Sequence, residues 1–261
     1  MIDAGTDVLN LDGRVVVVTG GTKGVGRGIA IRFLEAGAEV VVTARNEPDE
    51  PVGGDGRAAS FVAADVRDPD QAHAVVDFAV RRHGRLDTLV NNAGGGPPAD
   101  AATASPRFSE AVIRLNLIAP LLLAQAANAV MQQQDEGGSI VNICSVSGTR
   151  PSPGSAAYGA AKAGLLNLTQ SLAIEWAPKV RVNAVTPGYI QTEQSHLHYG
   201  DEAGVAAVAA IIPLLRMGSP HDVGDACIFL SSPLAAYVSG SNLAVHGGGE
   251  RPPFLAASNT T

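Results

Sequence analysis

Four consecutive valines, Val15 to Val18, run straight into Thr19-Gly20-Gly21-Thr22-Lys23-Gly24-Val25-Gly26, and this junction restricts the fold more than any other stretch of the chain. A short, wholly apolar, β-branched run reads as a strand buried on both faces, the condition of a strand inside a parallel sheet. Beyond the glycines, Ile29, Ala30, Phe33 and Leu34 recur at helical spacing up to a stop at Gly37. Strand, glycine turn and helix in this order open a strand-helix-strand unit.

The alternation then repeats. Strands are expected at Glu39 to Thr43, Ala59 to Ala63, Leu86 to Val90, Ser139 to Ile143, Arg181 to Val185 and Asn242 to His246. Helices are expected at Pro69 to His83, Ser105 to Gln133, around Tyr158, and at Asp222 to Ser231. Such a rhythm implies right-handed crossovers and an α/β Rossmann fold: a doubly wound parallel sheet of about seven strands flanked by helices. With 46% hydrophobic residues in 261 positions, one domain spanning 1–261 suffices for a sizeable core. Glu47 to Arg57 reads as a surface loop, and 189–217 as a segment that breaks the alternation. Residues 250–261 read as a tail whose order depends on a partner, and the chain after Trp176 is expected to leave its helix abruptly at Pro178.

Composition removes several functions. The net charge of -7 disfavours a nucleic acid as partner. Cys144 and Cys227 lie in apolar surroundings without metal-ligand spacing, so they read as reduced core thiols and no metal is expected. The polar, acidic start lacks a signal-peptide pattern, and Arg, Gln, Asp or Pro interrupts each long apolar run. A cytoplasmic protein with no membrane partner is expected.

The glycine turn sits where a nucleotide phosphate meets bare backbone N–H groups and the positive end of a helix. Any tight strand-to-helix turn can use glycine, so the position after the first strand is what favours a dinucleotide. A free ribose 2'-hydroxyl is usually held by an acid at the end of the second strand, and here that place reads Thr43-Ala44-Arg45. Arg45 and Lys23 can instead clamp a 2'-phosphate, which favours NADP(H) over NAD(H), unless both are simply solvated.

Tyr158-Gly-Ala-Ala-Lys162 places a phenol and an ammonium one helical turn apart, with Ser145 upstream. An isolated Tyr-x-x-x-Lys is commonly a buried tyrosine beside a solvated lysine. An ammonium ~4 Å from the phenolate would contribute on the order of 4 kcal/mol at an effective dielectric of ~20, enough for ~3 pKa units. The tyrosine would then work as a general acid and base.

Together with Asp65-Val66, Asn91-Asn92-Ala93-Gly94, Asn116 and Pro187-Gly188-Tyr189-Ile190-Gln191-Thr192, these motifs closely resemble the short-chain dehydrogenase/reductase family, from about Asp12 to Gly248. The resemblance implies an oxidoreductase of NADP-preferring type whose catalytic residues are Asn116, Ser145, Tyr158 and Lys162. It further implies that Asp65 and Val66 meet the adenine, that Asn92, Ala93 and Gly94 line the ribose side, and that Lys162 holds the nicotinamide ribose beside Tyr158. Pro187, Ile190 and Thr192 would lie at the nicotinamide, and Gly20, Thr22, Lys23, Gly24, Val25, Gly26 and Arg45 would hold phosphate and ribose. Ser145 would hydrogen-bond the carbonyl, and Asn116 would hold a water linking Lys162 to solvent. The family commonly has Asp-Gly-Gly where this chain has His246-Gly247-Gly248, so His246 is either a subunit contact or a strand cap.

The substrate pocket is expected from Gly95 to Ala99, Val146 to Ala156 and 189–217. Val205, Val208, Ile211, Ile212, Leu214 and Leu215 would form an apolar lid, favouring an apolar ketone or secondary alcohol. A 3-oxoacyl reductase acting on a carrier protein or coenzyme A is the alternative, weakened because Ala163 to Ala177 carries no Lys or Arg. From another class, a non-catalytic NADP(H) sensor would not need the whole proton path. Apolar residues Leu115, Leu121, Leu122, Leu123, Leu165, Leu166 and Leu168 exceed what a sheet face should cover, so a homo-oligomer, a tetramer or a dimer, is expected.

Overall fold

In the computed structural model, which describes residues 9–257, the valine run becomes β1 (Val15–Thr19), buried along its whole length. Val16 and Val18 join one apolar cluster and Val15 and Val17 another, so both faces of the strand are covered by helices. The expected domain limits and tail extend into 1–8 and 258–261, which lie outside the described residues.

The chain continues through α1 (Gly24–Glu35), β2 (Glu39–Ala44), β3 (Gly53–Gly54), β4 (Arg57–Ala58), β5 (Ser60–Ala63), α2 (Pro69–His83) and β6 (Thr88–Asn91). Then follow α3 (Pro106–Ile113), α4 (Ala119–Met131), β7 (Gly138–Ile143), α5 (Ala156–Glu175) and β8 (Val180–Pro187). The last elements are α6 (His196–Tyr199), α7 (Glu202–Ile211), α8 (Pro220–Ser231), β9 (Asn242–Val245) and α9 (Pro253–Ala257). Seven strands form one parallel sheet in the order β5-β2-β1-β6-β7-β8-β9. The path runs outward from β1 to β5 and then returns past β1 to β6, opening a crevice at the carboxyl ends of β1 and β6 where ligands of such sheets bind. Helices α1 and α8 pack on one face, and α2, α4 and part of α5 on the other.

Four expectations change. Glu47 to Arg57 is more than a surface loop: β3 and β4 pair antiparallel through a turn at Asp55 (φ 51°) and Gly56 (φ 72°), and Val52 is 1% exposed. The long helix is interrupted by a π-helical turn at Arg114–Ile118, which carries Asn116. Helix α5 ends at Glu175 with Trp176 as its C-cap, short of Pro178, because a residue before proline is pushed out of the helical region. The tail through Arg251 is anchored within the chain, since the Arg251 N–H donates to the Ile211 carbonyl at 3.0 Å.

Among the described residues, Pro106–Met131 is the one helical run long and apolar enough to cross a membrane by length and composition. Its inner face, including Ala119, Leu123, Ala127 and Met131, is buried within the core, as expected of a core helix.

Candidate active site

The crevice is built where the ends of β1 and β6 are tied together. Thr19 Oγ1 accepts from the Asn92 and Ala93 N–H groups at 3.0 and 2.9 Å, and Asn92 Nδ2 donates to the Thr19 carbonyl at 2.9 Å. Glycine is required in the turn itself. A Cβ on Gly26 would stand 2.2 Å from the Gly20 carbonyl oxygen, and Gly20 lies at φ +62° with Ala93 Cα 3.1 Å from the Cβ position. Backbone therefore approaches backbone, leaving amide groups bare toward the cleft.

The cleft encloses about 710 Å³. Gly20, Thr22, Lys23, Arg45, Asp65, Val66, Ala93 and Gly94 line it. Gly24 begins α1, Val25 packs toward the core, and Gly26 acts through spacing. Two cations the sequence reading missed also line the cleft: Arg27, one helical turn beyond Lys23, and Arg67. The i, i+4 spacing could have found the first. Arg67 grips Asp65 through Nε and Nη2 at 2.9 and 2.5 Å, and this hydrogen bonding lowers the Asp65 carboxyl to about 2. A glycine cradle, a helix start and surrounding cations fit a dinucleotide's phosphates.

At the other end of the crevice, Ser145 caps a short 3₁₀ turn and its hydroxyl accepts from the Ser147 N–H at 3.2 Å. Tyr158 and Lys162 stand one turn apart on α5, with Ser145 beside the phenol. Lys162, 3% exposed, donates to the Ile143 carbonyl at 2.8 Å, and its ammonium is 5.8 Å from the Tyr158 ring centre. Burial lowers Lys162 to about 8. Burial also raises the Tyr158 phenol, an effect the Ser145 hydroxyl opposes. The expected lowering of the phenol by Lys162 is therefore not what this geometry produces: the ammonium points at the Ile143 carbonyl, and burial dominates both groups. Cys144, also buried, is raised to about 12 and stays a neutral thiol.

Asn116 is fully buried, with Oδ1 accepting from the Gly95 N–H at 2.8 Å and Nδ2 donating to the Gly95 and Val112 carbonyls. A Cβ on Gly94 would lie 2.7 Å from Asn116 Oδ1 and 3.3 Å from Lys162 Nζ, so the two side chains converge on that glycine. Pro187 ends β8, Ile190 is 9% exposed and bridges to Gly218, and Thr192 opens a turn closed by Ser195.

The lid is only partly apolar cover. Ile212 is buried against Gly247, Val205 and Val208 are half-buried, and Ile211, Leu214 and Leu215 face outward. Tyr189 and Tyr199 meet edge to face at 5.9 Å, and Arg150 donates to the Tyr189 hydroxyl and pairs with Glu250. His246 lies against Gly188 at the end of β9. Beside Tyr158, a second cavity of about 350 Å³ is lined by Pro97, Ala99, Phe108, Val112 and Ala157. Among the described residues no cluster of His, Cys, Asp or Glu is arranged to hold a metal.

Comparisons with known proteins agree with this architecture. Residues 20–250 match the family model described as Enoyl-(Acyl carrier protein) reductase. The chain is 35% identical to the 2-dehydro-3-deoxy-D-gluconate 5-dehydrogenase of Escherichia coli (strain K12), over 92% of this chain and 96% of that protein. It is 36% identical to the 3-oxoacyl-(acyl-carrier-protein) reductase FabG of Vibrio cholerae, over 92% and 98%. The ligand-free aldohexose dehydrogenase of Thermoplasma acidophilum superposes with a TM-score of 0.85 at 30% identity, over 96% of this chain and 97% of that one. Sheet order, glycine cradle and matched relatives together place the chain in the short-chain dehydrogenase/reductase family, as an oxidoreductase acting on CH-OH groups with a nicotinamide cofactor.

Proposed function

We propose that the protein interconverts an apolar ketone and the corresponding secondary alcohol, using NADP(H) in preference to NAD(H). The observation that carries this reading is the convergence of Ser145, Tyr158 and Lys162 at the end of the dinucleotide cleft. When bound, the cofactor supplies or takes the hydride. Ser145 and Tyr158 hydrogen-bond the carbonyl oxygen, where negative charge grows, and Tyr158 gives its proton to form the alcohol. Lys162, charged at neutral pH with a value near 8, holds the nicotinamide ribose, and Asn116 holds the water through which the proton is resupplied.

For the cofactor, Ala44 offers no carboxylate to a ribose 2'-hydroxyl, whereas Lys23, Arg27 and Arg45 surround that end of the cleft. Arg67 neutralises Asp65 at the end of β5, and Lys23, Arg27 and Arg45 oppose Glu47, Asp49 and Glu50, which line the same cleft, so a 2'-phosphate depends on that cationic cluster. The apolar cavity beside Tyr158 favours a hydrophobic carbonyl over a charged one. The name of the FabG relative favours a carrier-linked 3-oxoacyl substrate as second reading, against which α5 beyond Lys162 offers no Lys or Arg for an acidic carrier. Exposed Ile113 on α3 and Ile174 on α5 are consistent with a homo-oligomer, a tetramer or a dimer; light scattering that reports a monomer at micromolar concentration would remove that part.

The test is NADPH consumption against apolar ketones, quinones and 3-oxoacyl thioesters, in wild type and Tyr158→Phe. Loss of a general acid predicts a fall of ~100-fold or more in turnover with cofactor affinity nearly unchanged. Near-wild-type rates in the variant would remove Tyr158 from the chemistry, and binding without any turnover would favour a sensor.

A further inference from the structure

At the glycine cradle, one bare amide already has a partner from the far end of the chain. The Gly24 N–H donates to the Glu193 carboxylate at 2.9 Å. Gly24 is the first residue of α1, where unpaired N–H groups and the helix dipole favour an anion. Glu193 arrives there on a constructed turn. The Thr192 N–H donates to Ser195 Oγ at 2.8 Å, the Gln194 N–H donates to Thr192 Oγ1 at 3.2 Å, and Ser195 is 5% exposed. The atom nearest to where a side chain on Gly24 would stand is Thr192 Cγ2, at 3.9 Å, so the same turn borders the space in front of the cradle.

We propose that Glu193 is an intramolecular occupant of the seat taken by a dinucleotide's diphosphate, and that cofactor entry must lift it from Gly24. The inference rests on the dinucleotide reading above. Two anions cannot share one amide at the start of a helix without repulsion, so whichever sits there excludes the other. Glu193 belongs to the 189–217 segment, which also carries Tyr189 and Tyr199 beside the site. Displacing the carboxylate therefore frees the segment that closes over the substrate. Glu193 weakens cofactor binding, speeds its release, and makes the arrangement of the substrate-facing segment depend on prior cofactor binding.

The contact is a single charge-assisted hydrogen bond at an exposed side chain, so removing it should tighten binding by about 3- to 10-fold. The experiment titrates NADPH, and separately inorganic pyrophosphate, into the full-length wild type, Glu193→Ala and Glu193→Gln by calorimetry, with thermal melts confirming that each variant is folded. Tighter binding of both probes by both variants is the expected result. So is a change in amide hydrogen exchange across 192–199 when NADPH is added to the wild type. Unchanged or weaker affinity in both variants overturns the proposal, because a carboxylate that merely caps α1 would support the cradle; so does exchange in 192–199 that ignores NADPH. A wild type that binds neither NADPH nor NADH defeats the dinucleotide reading itself, a result distinct from these.

Discussion

Lys162 sits 3% exposed one helical turn from Tyr158, with its ammonium on the Ile143 carbonyl. Its ordinary value of 10.5 falls to about 8, so the folded chain holds this proton more loosely than the unfolded chain does. The charge therefore destabilises the fold below pH 8, by about 3 kcal/mol, and the penalty is relieved as pH rises from 8 to 10.5. Lys162→Met removes the charge but leaves the Ile143 carbonyl without its donor, a loss of about 1–3 kcal/mol. The variant should be inactive, of similar or up to ~2 kcal/mol higher stability at pH 7, and without the wild type's gain in stability between pH 8 and 10. Denaturant melts at several pH values check this, and a variant retaining the wild-type slope would place the titration elsewhere. Cofactor choice belongs to the same scale. Ala44→Asp should convert a preference for NADPH, on the order of 30-fold, into one for NADH, read as kcat/KM with one ketone. The pairing of Tyr158 with Lys162 was legible because helical spacing alone puts them one turn apart, whereas Ser145, on another element, entered through the family resemblance. Glu193 was not legible, because its partner Gly24 is brought to it only by the folded sheet, and the direction of the Lys162 ammonium depended on a carbonyl that no spacing rule names.

Helix α1 lies so close to α8 that glycine is needed on both. A Cβ on Gly28 would stand 2.2 Å from Pro220 Cβ, and one on Gly224 would stand 2.7 Å from Arg32 Cγ. Alanine at position 28 gains about 1 kcal/mol of helix propensity, yet it must push α8 away. Gly28→Ala should lower stability by a net ~1–3 kcal/mol in urea unfolding, and no loss would mean that α8 gives way freely. The start of α8 is held by a capping box, in which Ser219 Oγ accepts from the Asp222 N–H and the Asp222 carboxylate accepts from the Ser219 N–H. Ser219→Ala should cost about 1 kcal/mol in the same assay. Apolar periodicity located the helices and strands well, since burial imposes that pattern. It passed over the π-helical turn at Asn116, because one added residue in a turn barely disturbs a helical stripe. The β3-β4 hairpin did leave a signal, the Asp55-Gly56 pair that suits a turn with positive φ at both positions, but the acids and prolines around it masked the pattern.

The strand order follows from two rules acting on the whole chain: crossovers are right-handed, and the path reverses once beside β1. Alternation alone announces such a sheet, whereas the cover offered by 189–217 cannot be read from it, because that segment has no periodic partner. A ligand that bridges the reversal should stabilise the entire molecule. NADPH at 100 times its dissociation constant is expected to add about 2.7 kcal/mol, with a smaller rise in Tm from NADH at the same concentration. Equal shifts would mean that the cations around Arg45 do not discriminate. The contact between Gly28 and Pro220 also sets a schedule for the chain as it is made. Helix α1 emerges early from the ribosome, but the helix that covers Ile29 and Phe33 is not yet synthesised. At ~5–20 residues per second, that apolar face waits roughly 10–40 s for its cover. The nascent protein is thus exposed to aggregation for most of its own synthesis, and a ribosome-bound chain stopped before α8 should be a strong client for a chaperone that shields apolar helices.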